Sequence, residues 1–186
     1  MKKEPTLRAD AQKNRERILT AAGEVFLEQG AGVSLKEVAR RAGVGIGTLY
    51  RRFPTRELLL AESYNARLLA FAAMSRENDA KRDPVAAVRS YLVGLVTTTQ
   101  VYRGLATSLG MVLQSGTPGC IALTEEGERL LSLGQQAGVI RTDVTFDDLV
   151  FVVTAILIAT EQDSTPESRI THLVELFING ISKRTL

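Results

Sequence analysis

The stretch Ser34–Arg56, SLKEVARRAGVGIGTLYRRFPTR, constrains this chain more than any other. Ser34 and Glu37 stand at the S-x-x-E spacing of a capping box, so a helix should start there. Leu35, Val38, Ala39 and Ala42 form an inward stripe, and Gly43 supplies the left-handed stop that only glycine adopts cheaply. After the short turn Gly43-Val44-Gly45 a second helix is predicted over Ile46–Arg52, with Ile46, Leu49, Tyr50 and Phe53 turned in or half in. Pro54 ends it, because proline removes a donor and disfavours helix at the residue before it. Two short helices joined by a glycine-bearing turn of three to four residues have the spacing of a helix-turn-helix.

The second helix of such a motif lies in the DNA major groove. Its predicted outer face carries Gly47, Thr48, Arg51 and Arg52. Arg51 suits a guanine edge or a phosphate. The Thr48 hydroxyl serves a phosphate or a base, and its methyl suits thymine. Gly45 and Gly47 permit close backbone approach, and Tyr50 offers its hydroxyl to a phosphate. Arg56, opening the next helix, is expected on another phosphate. Charge follows the same division. Residues 1–56 hold 12 Lys/Arg against 6 Asp/Glu, while the remainder is net negative, within an overall formal charge of +2. The basic segment is the one expected to meet a polyanion.

The rest of the chain reads as helices. A basic arm over residues 1–12, with Lys2, Lys3 and Arg8, leads into a helix over 11–29, whose Ile18, Ala21, Ala22, Val25 and Phe26 make one buried stripe. Thr55 caps a long helix from Arg56 to about Arg76, and Asp83-Pro84 opens another to Thr99. Further helices are predicted over 101–113, 122–137, 146–160 and 166–183, with 114–120 a loop and Thr145/Asp148 a second capping pair. No run alternates as a half-buried strand would, so the fold class is all-α. The 45% apolar content supports a real core.

Other chemistries find little support. The one cysteine, Cys120, excludes an intrachain disulfide, and the one histidine, His172, has no companion for catalysis or metal binding. No catalytic residues, metal ligands or cofactor are therefore expected. The longest apolar run, Leu149–Ala159, is short of the roughly 20 residues that span a bilayer, and no secretory leader is read, so the expectation is a cytoplasmic protein without membrane contact. The 146–160 segment is apolar nearly all round and the last helix has a wide stripe. A second subunit is expected to cover them, through Leu149, Val152, Val153, Ile156, Ile170, Leu173, Val174, Phe177 and Ile178, as an isologous four-helix contact.

The segment VSLKEVARRAGVGIGTLYRRFPTRELLL resembles the DNA-binding domain of the TetR family of bacterial transcriptional repressors. The preceding RERILTAAGEVFLEQG, residues 15–30, fits that family's first-helix pattern, and Leu49, Tyr50 and Phe53 fit its L-Y-x-x-F core. GVIRTDV at 138–144 is similar to a stretch before the eighth helix in many members. The resemblance implies nine helices, a homodimer and a variable C-terminal domain that binds a small-molecule effector. It divides the chain into a DNA-binding domain, 1–54, and an effector-binding and dimerisation domain, 55–186. Ser34 and Tyr50 match phosphate-contacting positions, and Thr48 matches a base- or phosphate-contacting one. Gly45 and Gly47 stand where larger side chains often read bases, which shifts the reading to Thr48, Arg51 and Arg52. Candidate effector contacts are Phe71, Met74, Tyr91, Tyr102, Met111, Gln114 and Phe151, a set suited to an apolar or amphipathic molecule. The implied activity is repression at a palindromic operator of double-stranded DNA, relieved by effector. A nucleoid-type DNA binder without effector control is the alternative.

Overall fold

In the computed structural model, residues 4–79, 83–161 and 166–183 are described. They form nine α-helices and no named strand: α1 Glu4–Gln29, α2 Leu35–Ala42, α3 Ile46–Arg52, α4 Arg56–Asp79, α5 Pro84–Thr99, α6 Leu109–Leu113, α7 Pro118–Gln136, α8 Phe146–Thr160 and α9 Pro166–Ile181. A single 3-10 turn, Ala106–Ser108, precedes α6.

The start and stop signals act as the residue chemistry requires. Asp83 accepts from Ala86 N–H at 3.0 Å beneath Pro84. Thr145 and Asp148 complete a reciprocal capping box at α8. The other expected box is only half formed. Ser34 Oγ accepts from Lys36 N–H at 3.3 Å, but Glu37 turns away to Arg40. Three further expectations need correction. The segment 4–12, read as an arm, belongs to α1; Met1–Lys3 lie outside the described residues. Residues 101–105 are turns rather than helix, because Gly104 takes a φ of 76°. The 114–120 loop stops early: Thr117 caps α7 through Cys120 N–H, and Pro118 is its first residue.

One contiguous apolar cluster runs from Ile18 to Ile181. Helices α1, α2 and α3 close around Phe26, Val38, Leu49 and Phe53, all fully or almost fully buried. The long α4 then passes against α1 at one end and α7 along its length. At the far end, Glu126 of α7 is wholly buried yet held by Arg76 of α4, by Arg129 and by Ser75, at 2.8–3.1 Å. Burial alone would raise that carboxyl; the three donors outweigh it and hold it below the ordinary glutamate range. Helix α5 lies at the centre of the C-terminal part and packs on α4, α7, α8 and α9.

Helices α8 and α9 therefore find much of their cover inside one protomer. Leu149, Val153, Ile156, Ile170, Val174 and Ile178 are buried in its own core, which corrects their expected place on a subunit interface. Val152, Leu173 and Phe177 are half-buried. The apolar groups that point outward are others: Phe151 at 73% exposure, Leu176 at 56% and Ile158 at 53%. No helix is long and apolar enough to cross a membrane, among the described residues.

Candidate nucleic-acid interface

The head of the molecule holds α3 by its back and leaves its front open. Leu49 and Phe53 anchor the back, with the Arg15 guanidinium 5.8 Å from the Phe53 ring centroid. The turn into α3 is fixed by Gly43 at φ 65°, whose N–H reaches Ala39 and Arg40 carbonyls, while Val44 N–H donates to Ala39 O at 3.0 Å. A side chain at Gly43 would be strained by that angle and would meet Arg17.

On the front, Gly45, Gly47, Tyr50, Arg51 and Arg52 are exposed and Thr48 is half-buried. Tyr50 sits further out than its place in the inward ridge implied, at 48% exposure. Arg51 Nη2 donates to Thr48 Oγ1 at 3.0 Å, so the two side chains stand as one polar unit. Arg52 extends from the same face. Atoms built as a Cβ at Gly45 or Gly47 would have no neighbour within 4 Å. Ser34 is exposed close by at the start of α2.

Arg40, Arg41 and Arg56 each have a partner within the head. Arg40 forks onto Glu37 at 2.6 and 2.8 Å, and Arg41 onto Glu28 at 2.8 and 3.1 Å. The forks hold both glutamates below their ordinary range. Arg56 has an internal role that its expected phosphate contact did not include. Its Nη1 donates to the carbonyls of Ala31 and Val33, both at 2.7 Å, so the half-buried side chain staples the α1–α2 loop to the start of α4. Sequence spacing could not show this, since the acceptors are backbone groups more than twenty residues away.

The seven candidate effector contacts do not converge. Phe71, Met74 and Tyr91 line one cavity between α4, α5 and α7, together with Ser75, Asn78, Ser90 and Leu130. Its volume is about 70 Å³, well under the roughly 300 Å³ at which ligand pockets begin. Tyr91 is buried there and its hydroxyl donates to Leu123 O at 2.9 Å. Tyr102 lines a different crevice, with Arg103, Leu157 and Glu161, and Gln114 a third, with Phe146 and Val150. Met111 and Phe151 project outward. Cys120 is buried and its Sγ donates to Val112 O at 3.2 Å, and His172 is exposed on α9.

Comparison with known proteins accords with this geometry. Residues 18–62 match the family described as bacterial regulatory proteins, tetR family. Residues 83–183, more than half the chain, match the C-terminal domain of SbtR-like transcriptional regulators. An HTH-type transcriptional regulator of Staphylococcus aureus is 44% identical over 48 residues, 25% of this chain and 26% of that protein, so the chain spans about a quarter of the length of such curated relatives. The crystal structure of the TetR regulator SCO0520 from Streptomyces coelicolor is 28% identical, covers 92% of this chain and 99% of its own, and superposes with a TM-score of 0.57. FadR from Bacillus subtilis, solved with stearoyl-CoA, shares the fold at 18% identity, with 90% and 99% coverage and a TM-score of 0.62.

Proposed function

The chain belongs to the TetR family of transcriptional regulators, and on that premise we propose that it is a ligand-responsive repressor that binds a palindromic operator as a homodimer. The observation that carries the reading is the front of α3. A helix anchored by Leu49 and Phe53 presents Thr48, Tyr50, Arg51 and Arg52 outward, while Arg40, Arg41 and Arg56 are each held by a partner within the head. Arg51 and Thr48 face base edges, and Tyr50, Arg52 and Ser34 face phosphates. Gly45 and Gly47 bring backbone close to the duplex. The protein acts in the cytoplasm, without catalysis or a cofactor.

Two such helices on a two-fold dimer meet half-sites about 34–36 Å apart. The dimer forms through the outward faces of α8 and α9, where Phe151, Ile158 and Leu176 stand beside the half-buried Val152, Leu173 and Phe177. The effector is a small apolar or amphipathic molecule. It enters between α4, α5 and α7, where Phe71, Met74 and Tyr91 meet, and widens that cavity. FadR, bound to stearoyl-CoA, is a precedent of the same fold for an amphipathic ligand. A tilt of α4 that favours ligand changes the separation of the two heads and lowers operator affinity.

Selection of bound duplexes from a random DNA pool tests the reading. A recovered palindrome with a half-site spacing near one helical turn supports it. Binding without any preferred sequence would instead mark a nucleoid-type protein.

A further inference from the structure

The turn between α5 and the 3-10 helix is hydrogen-bonded to the head through the Arg103–Gly104 peptide. The carbonyl of Arg103 accepts from Ala31 N–H at 2.8 Å. The N–H of the same peptide, on Gly104, donates to Glu161 Oε1 at 2.8 Å. Glu161 is the C-terminal cap residue of α8. Ala31 passes the connection on, because its carbonyl accepts from Arg56 Nη1, and that nitrogen also donates to Val33 O beside the Ser34 cap of α2. A run of hydrogen bonds thus leads from the end of α8, through one peptide, to the loop that carries the helix-turn-helix.

Local geometry is built around this approach. Gly30 adopts a φ of 89°, and a Cβ there would stand 2.8 Å from the Arg103 oxygen, so a larger residue would push the peptide away. Tyr102 packs its ring on Tyr64 of α4, with centroids 3.8 Å apart, which fixes the turn from the other side. Arg103 and Arg67 are exposed nearby, and Glu161 forms no ion pair among the described residues. Its carboxylate is therefore available to the Gly104 amide, and a bond to a charged acceptor is about twice as strong as a neutral one.

We propose that Glu161 is a positioning residue for operator recognition: by holding the Arg103–Gly104 peptide it fixes the α1–α2 loop, and with it the tilt of α3, relative to α8. This rests on the reading of α3 as the DNA-contacting helix and α8 as part of the dimer. The residue touches no DNA. It acts by keeping both heads of a dimer in one register, so its loss is felt on a two-half-site operator and not on random duplex.

The test compares wild type, Glu161→Ala and Glu161→Gln in two ways. Amide hydrogen exchange is followed on the DNA-free protein, and binding is measured at matched salt to the selected palindrome and to a scrambled duplex. In Glu161→Ala the Ala31 amide should exchange about tenfold faster, as expected for loss of a charge-assisted bond that supports it, while α5 amides keep their wild-type rates. Palindrome affinity should fall about five- to tenfold, at the low end of site-to-site couplings, with scrambled-duplex affinity unchanged. Glu161→Gln, which keeps an oxygen acceptor, should restore most of both. Unchanged Ala31 exchange in Glu161→Ala overturns the proposal, as does equal weakening on palindrome and scrambled DNA. If wild type recovers no preferred sequence, the functional reading fails, and the exchange arm still decides whether Glu161 holds the loop.

Discussion

Helices α3 and α8 solve opposite problems with similar means. Each buries one ridge in the protomer, Leu49 for α3 and Leu149, Val153 and Ile156 for α8. What each leaves outside differs. The front of α3 carries two arginines, a threonine and open glycine backbone, whereas the front of α8 carries Phe151 and Ile158. A solvated cationic face keeps its water until a polyanion replaces it, and counterions leave with the exchange. An exposed phenylalanine and isoleucine gain by meeting another apolar face. The partner class is thus written in the outer residues, while the inner ones only decide where the helix sits.

That contrast can be broken at several points. The largest effect is expected for Phe53→Ala, which empties the back of α3 and should cost about 3–5 kcal/mol of head stability. Urea unfolding should then separate into an early transition for the head and a later one for the C-terminal helices, with DNA binding lost. A single unshifted transition would deny that the head depends on this anchor. Next comes Phe151→Glu with Ile158→Glu. Both side chains are already outside the protomer core, so the fold should persist while self-association weakens by at least about thirtyfold, the effect of losing one interface hot spot. Sedimentation at micromolar concentration reads this, and an undiminished dimer would move the interface elsewhere.

Glu126→Gln probes the far end of α4, where Arg76 and Arg129 converge on a buried carboxylate. Its loss should cost about 2 kcal/mol, the scale of a hydrogen bond to a charged group. Because the folded state holds this carboxyl below its ordinary range, the stabilisation is present above about pH 4.3. It is lost as pH falls through the lower folded value. Wild type and Glu126→Gln should therefore converge in thermal melts on acidification below that point, and diverge at neutral pH. Smaller still are the changes on the α3 front. Arg51→Ala should cost about 1–2 kcal/mol on the preferred operator and relax preference at one base pair. Arg52→Ala should weaken all duplexes alike and lower the salt slope by about one. Identical behaviour of the two would erase the distinction drawn between them.

Much of the head could be read from sequence because its signals are local. The bounds of α2 and α3 follow from Ser34, Gly43 and Pro54, each acting within a few residues. The start of α5 follows equally from Asp83-Pro84. The misreadings arise where a local signal competes with another. Residues 4–12 show no apolar stripe, yet they are rich in good helix formers and continue α1. Pro118 lies in a Ser-, Gly- and Pro-rich stretch that reads as loop, yet Thr117 before it makes it a first helical residue. Val101, Tyr102 and Leu105 have helical spacing, and Gly104 cancels it. The remaining gaps concern distance. That α5 packs against α8 and α9, that Arg56 ties down the Ala31 and Val33 carbonyls, and that the effector candidates scatter over three crevices and the outer surface are properties of packing between remote segments.

The open space around Gly45 and Gly47 has a consequence for how such a protein changes its target. Gly45 has a φ of −70° and Gly47 lies in a right-handed helix, so any ordinary residue fits either backbone. Nothing stands within 4 Å to be displaced. Gly47→Ala should even stabilise α3 by about 0.5–1 kcal/mol, through the lower entropy of the unfolded chain. Two positions on the proposed DNA-contacting face are thus uncoupled from folding. New operator preferences can be tried there one side chain at a time, by selection or by design, without the stability loss that usually restricts change at a functional surface.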